Sequence, residues 1–137
     1  MATRQINQPL VREQVQTAKM NVLGASQNVP YGSMAVNVGG VIKAAAAATA
    51  GQTPLGISMQ PLKETTAADY TLAEPAMFAR NVEVIMDIDA GDAPGQTEIG
   101  KLVYFTDGST VHKTVAANDV SCTLLEIISS TLCKVRV

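Results

Sequence analysis

The sequence predicts an all-β protein, and three observations carry that reading. Short runs rich in Val, Ile, Leu and Thr recur from Tyr31 to the last residue, separated by Gly, Pro, Asn and Asp. Within several of those runs apolar and polar residues alternate with the period of two that puts one face of a strand against a core. The one tract with high helix propensity, Ala44–Ala50, spans only about two helical turns and closes in Gly51-Gln-Thr-Pro54, which favours a loop or a single turn. The architecture that follows is a small antiparallel β-sandwich or barrel over residues 30–137, preceded by an N-terminal arm over residues 1–29.

The arm differs from the rest in composition. It is rich in Gln, Asn and Thr and holds Arg4, Arg12 and Lys19 against Glu13, a net +2, so the remainder carries −4 of the chain's −2. Leu10, Val11, Val15, Ala18, Val22 and Leu23 would fit a short amphipathic helix from Pro9 to Leu23. An extended arm fits equally well. An isolated helix of that length is marginal in water, so the arm is expected to become ordered on contact with another protein chain.

Beyond Val29-Pro30 the strands follow in order. Met34–Lys43 reads as two short strands bent about Gly39-Gly40, a dipeptide that accepts the positive φ of a tight hairpin. Leu55–Gln60 alternates apolar with small or polar residues until Pro61 stops it, and Asp69–Ala73 is a further short strand. In Val82–Ile88 the residues Val82, Val84, Met86 and Ile88 share one face, with Glu83 and Asp87 on the other. Lys101–Thr106 and Thr110–Val115 flank Asp107-Gly108-Ser109 and form a hairpin, since Asp-Gly supplies the turn. Thr123–Ile128 and Thr131–Val137 make a second hairpin, with Cys133, Val135 and Val137 on one side of the last strand and Lys134 and Arg136 on the other. The final strand is expected to lie paired inside a sheet.

Composition narrows the function. The chain has 137 residues, enough for one domain with a real core and no need of metal or disulfide staples. Ten basic residues scattered against twelve acidic ones form no stripe for nucleic acid, and no stretch approaches the ~20 apolar residues of a membrane span. Residues 1–29 contain no apolar run of the kind that marks an export signal. Cys122 and Cys133 are compatible with a disulfide or with two buried thiols; the reduced, buried reading is preferred, and no Cys-x-x-Cys motif suggests zinc or redox chemistry.

Chemical motifs are sparse. His112 has no nucleophile beside it in sequence and reads as a surface strand residue, and no Gly-x-Ser-x-Gly elbow occurs. Asp87, Asp89 and Glu98 match three positions of a calcium loop, but Gly91, Asp92 and Pro94 break the pattern, leaving a solvated turn. No phosphate-binding fingerprint is present. The chain is therefore expected to be no enzyme, with no catalytic residues, no metal and no cofactor.

The stretch Gln96-Thr-Glu-Ile-Gly-Lys-Leu-Val-Tyr-Phe-Thr-Asp-Gly108, followed through an Asn118-Asp119 turn by the terminal Lys134-Val-Arg-Val137, resembles bacteriophage head-decoration proteins, also called capsid cement proteins. Val38–Ala44 and Thr53–Ser58 look like that family's opening hairpin and its following Gly-Ile strand. The resemblance covers residues 30–137 and implies a jelly-roll-like or β-tulip-like fold. It also implies a structural virion protein, made in the host cytoplasm, that sits on the outer capsid surface and ties neighbouring major capsid proteins together. Partners would then be the major capsid protein and the chain itself, as a dimer or trimer, with neither nucleic acid nor membrane involved. If the arm is the capsid-binding element, its apolar anchors are Ile6, Leu10, Val11 and Val15, while Arg4 and Arg12 meet acidic groups on the shell. The alternative is a tail- or fibre-associated β module that binds a host-surface glycan, for which Tyr31, Tyr70, Phe78, Tyr104 and Phe105 are the only aromatic side chains available.

Overall fold

A computed structural model describes residues 15–63 and 66–137. Its strands close into two five-stranded barrels, and one short two-stranded ladder packs with the first of them. The first barrel holds β1 (Gln16–Leu23), β3 (Met34–Val38), β4 (Val41–Ala44), β5 (Gln52–Ser58) and β7 (Tyr70–Arg80), in the order β1-β4-β3-β5-β7. The second holds β8 (Glu83–Ile88), β9 (Leu102–Asp107), β10 (Thr110–His112), β11 (Ser121–Ile127) and β12 (Leu132–Arg136), in the order β10-β8-β12-β11-β9. The ladder pairs β2 (Asn28–Val29) with β6 (Leu62–Lys63). Two single-turn 3₁₀ helices, Ala90–Asp92 and Gln96–Glu98, lie between β8 and β9.

The all-β class is as the alternation of residue types predicted, but it is realised as two barrels instead of one. Of the two readings of Pro9–Leu23, helix or extended arm, the described part is extended: Gln16–Leu23 is strand, paired antiparallel with β7 from Gln16↔Arg80 to Leu23↔Tyr70, while residues 9–14 lie outside the described residues. Alternating exposure along β1, with Ala18, Met20 and Val22 half-buried, shows that the apolar spacing there fits a period of two at least as well as a helical stripe. The boundary drawn at residue 29 also moves, because β1 and β2 belong to the ladders of the first barrel and its flank.

Turn chemistry sets the hairpins. Gly39 and Gly40, both at positive φ, join β3 to β4, and Asp107 accepts the Ser109 N–H at 2.9 Å across the β9–β10 turn. The strand β7 runs well past the expected Ala73 to Arg80. Leu72–Pro75 stand opposite Asn21 alone in a wide bulge, so Pro75 falls where no ladder hydrogen bond is needed. At Gly56 in β5 the backbone of β7 approaches so closely that a Cβ would lie 2.5 Å from the Ala79 carbonyl oxygen, and φ is +134°.

The barrels share a core. Val36, Met34, Ala45 and Ile57 of the first pack in one cluster with Met86, Val103, Phe105, Val111, Leu124 and Val135 of the second. A second cluster around Leu23, Ile42, Leu62 and Phe78 fills the first barrel alone. Hydrogen bonds cross between the barrels as well: Met34 N–H donates to the Gly108 carbonyl at 2.7 Å, and Ala47 N–H to the Thr106 carbonyl at 3.1 Å. Because burial of apolar area is the dominant favourable term in folding, a cluster built from both barrels couples them into one body.

Candidate functional site

Of the arm residues singled out as capsid contacts, Arg4, Ile6, Leu10, Val11 and Arg12 lie outside the described residues. Val15 is described and is 58% exposed, immediately before β1. The chain therefore enters the first barrel beside Arg80, the partner of Gln16, at the point where β7 passes into β8. Asn81, at φ +62°, makes that turn, and its N–H donates to the Val137 carbonyl at 2.8 Å.

An open apolar groove of about 350 Å³ lies next to this junction. Tyr31, Ile57 and Met59 from the first barrel's side line it, facing Val82, Val84 and Ile85 at the start of β8. Tyr31, Met59 and Ile85 are 67%, 45% and 50% exposed, an unusual concentration of large apolar side chains in contact with water. The β8 backbone forms one wall. Its ladder with β12 runs from Glu83↔Arg136 to Asp87↔Leu132, whereas β10 meets it only at Asp87 and Ile88. Among the described residues no strand pairs with that second edge at Glu83–Met86. Asp87 N–H points to the β10 side, to the Ser109 carbonyl at 2.8 Å, so by the two-residue period of a strand the N–H groups of Glu83 and Ile85 point to the same open edge. The combination is a sheet edge flanked by apolar side chains.

His112 sits elsewhere and departs from expectation. It is 8% exposed instead of lying on the surface, with both ring nitrogens engaged. Nδ1 is 2.8 Å from Thr106 Oγ1, and Nε2 is 3.1 Å from Asp119 Oδ2. This hydroxyl–imidazole–carboxylate chain has the composition of a hydrolytic triad. It belongs to a larger hydrogen-bonded cluster. Thr106 Oγ1 also donates to Asp89 Oδ2 at 3.2 Å, so the hydroxyl has a carboxylate partner besides the imidazole. Neither the groove nor the smaller cavity beside Asp107–Ser109 is lined by His112.

Asp119 is the hub of that cluster. Its side chain is fully buried, and besides His112 it accepts the Ala48 N–H at 2.6 Å and the Ala116 N–H at 2.8 Å. Burial alone would raise its carboxyl pKa, but these donors outweigh it and hold the group below the ordinary aspartate value. Gln52 Nε2 donates to the Asn118 carbonyl at 3.0 Å, so the alanine-rich loop of the first barrel is clasped onto the β10–β11 loop of the second. A single sequence could not reveal this, because Ala48 and Asp119 are 71 residues apart and the loop side contributes only backbone.

The acidic run is likewise occupied. Asp89 accepts the Gly91 N–H, and Asp92 accepts both N–H and hydroxyl of Thr114 at 2.8 and 3.0 Å, which lowers its carboxyl pKa, chiefly through the backbone bond. Among the described residues no group of three His, Cys, Asp or Glu side chains is arranged to hold a metal ion. Cys122 and Cys133 are free, buried thiols. No helix among the described residues is long and apolar enough to cross a membrane.

Fold and groove together define a two-barrel all-β protein with an open strand edge beside the entry point of its N-terminal segment. Comparison of the chain with protein-family models, with curated proteins and with solved structures finds no significant match.

Proposed function

We propose that the protein is a structural component of a phage virion that binds the outer surface of an icosahedral capsid and cements neighbouring major capsid proteins. It works by adhesion, without turnover or cofactor, and as a dimer or trimer. The observation that carries this reading is the sharing of one core cluster between two closed barrels. A shell under outward load needs clamps that do not deform, and a body whose halves cannot separate without exposing Met34, Phe105 and Val111 meets that need. The resemblance of the Gln96–Gly108 and Lys134–Val137 segments to capsid cement proteins supports the same reading; they contain β9 and most of β12, which flank β11 on its two sides. The docking element is the segment before β1, with Ile6, Leu10, Val11 and Val15 as apolar anchors and Arg4 and Arg12 as charged ones.

The test is cosedimentation with capsids of the source phage. A truncation at residue 30 would remove β1 and damage the first barrel, so the comparison uses full chains, wild type against one carrying Arg4→Ala, Ile6→Ala and Arg12→Ala. Saturable binding at a fixed ratio to capsid protein, weakened at least tenfold in the variant, is expected. Failure of the wild-type chain to bind assembled capsids refutes the proposal.

A further inference from the structure

We propose that His112 is a pH-sensitive latch between the barrels: as an imidazolium it links two carboxylates, Asp119 directly and Asp89 through Thr106, and loss of its proton loosens the clasp on the alanine-rich loop. This is separate from capsid attachment, since it concerns how the two halves of the body hold each other.

The polar atoms form an open chain. Asp119 Oδ2 is 3.1 Å from His112 Nε2, His112 Nδ1 is 2.8 Å from Thr106 Oγ1, and Thr106 Oγ1 is 3.2 Å from Asp89 Oδ2. Despite its burial, which opposes charge, Asp119 is held ionised by the Ala48 and Ala116 amides. A carboxylate at each end of the chain can only accept. Nε2 must then carry a proton for Asp119, and the Thr106 hydroxyl must turn its own proton toward Asp89. Nδ1 is left facing the lone pairs of an oxygen whose proton is already placed, a contact that only an N–H satisfies. Three bonds thus need three protons, one on each ring nitrogen and one on Thr106, and a ring protonated at both nitrogens is the cation. In a neutral ring with its proton on Nε2, the hydroxyl bonds fully to Nδ1 or to Asp89 but not to both. With the proton on Nδ1 instead, a lone pair of Nε2 faces the Asp119 carboxylate.

The charges around the ring favour the same state. Asp119 comes from the β10–β11 loop and Asp89 directly follows β8. Asp92 stands in the 3₁₀ turn beyond; its carboxyl is held down chiefly by the Thr114 backbone bond, with charge from His112 and Lys113 adding to the effect. Against these three carboxylates stands Lys113. Tyr104 of β9 packs beside the imidazole, with ring centroids 6.1 Å apart. The negative surplus acts on a buried ring, where solvent ions screen little.

Asp119 carries the latch to the other barrel, because the same carboxylate accepts the Ala48 N–H at 2.6 Å. While the ring is charged, its contact with Asp119 is a buried ion pair as well as a hydrogen bond; in the neutral ring only the hydrogen bond is left. The clasp is therefore tightest where the ring is charged and Asp119 ionised. It weakens as rising pH removes the ring proton, and it is lost as pH falls through the lowered Asp119 value.

His112 is the single histidine of the chain, so nitrogen NMR follows its ring without ambiguity. The experiment titrates the full chain as wild type, Thr106→Val and Asp89→Asn, and reads proton uptake by the ring together with exchange of the Ala48 amide, corrected for the intrinsic pH dependence of exchange. The wild-type ring should bind its proton at least about threefold more tightly than the ring of either variant. Ala48 should lose about fivefold of its protection as the wild-type ring is neutralised, with Val135 unchanged as reporter of the folded barrel. Equal proton affinity in the three folded proteins overturns the proposal. So does Ala48 protection that stays level while the wild-type ring titrates, a result that needs no variant. Neither readout uses a capsid, so failure of the latch and failure of cementing are separate results.

Discussion

Replacing Asp119 by alanine should loosen the clasp between the barrels, and its size can be worked from the bonds lost. The carboxylate accepts from Ala48 N–H, Ala116 N–H and His112 Nε2. Ala48 and Ala116 are exposed residues, so water replaces the carboxylate at their amides with modest net loss. His112 is buried, and its ring nitrogen loses its partner where water does not readily follow. Hydrogen bonds to a charged group contribute ~1.5–3 kcal/mol, and a buried group left without a partner costs ~1–3 kcal/mol. About 3 kcal/mol in all is the expected loss, or roughly 9–15 °C in Tm for a domain of this size. Asp119→Asn keeps the shape and one acceptor oxygen and should lose about half as much.

Urea unfolding followed by circular dichroism, with the slope unchanged, gives the comparison. The pH dependence adds a signed check. The folded-state carboxyl titrates below the 3.8 of an unperturbed aspartate, so its contribution is complete above that value. It is then lost as pH falls through the lowered folded-state value, and the gap between wild type and D119A closes there. A loss below ~1 kcal/mol at neutral pH would show that the clasp is incidental to stability.

Three further outcomes follow from the packing. Gly56→Ala drives a Cβ to 2.5 Å from the Ala79 backbone at φ +134°, so it should destabilise by more than ~2 kcal/mol, visible as a lower urea midpoint. Burial pushes the Cys122 thiol up to about 12 and the Cys133 thiol up to about 11, so neither should react with iodoacetamide at pH 8 until the chain is unfolded, as mass spectrometry would show. Phe105→Ala should cost ~3–5 kcal/mol and speed exchange at Met34 and Val36 as well as within the second barrel; a change confined to β8–β12 would contradict the shared core.

The sequence made the second barrel easier to read than the first, for physical reasons. β8, β9 and β12 alternate core and surface side chains, and Asp107-Gly108 fixes one hairpin, so local pattern and tertiary structure agree. β1 lacks that clarity because its inward face, Ala18, Met20 and Val22, is only half-buried, and its apolar residues suit a helix or a strand until β7 supplies a ladder. β7 runs beyond the Asp69–Ala73 strand that the sequence suggests because a bulge opposite Asn21 takes up Leu72–Pro75, a feature of the β1 pairing that the local pattern does not encode. His112 was misplaced because its burial comes from Asp119 and from a backbone amide 71 residues away from that aspartate, neither visible as a motif around residue 112.

These three departures, at β1, β7 and His112, all fall where distant parts of the chain meet. A single barrel needs only neighbouring strands and tight turns, all of which are local. Joining two barrels requires contacts that neither specifies alone: apolar side chains from both in one cluster, a buried carboxylate gripping a loop, and a strand edge left open beside the entry of the N-terminal segment. The first two features make the body stiff. The third leaves the Glu83–Met86 stretch of β8 without a second paired strand among the described residues, at the seam where β7 passes into β8.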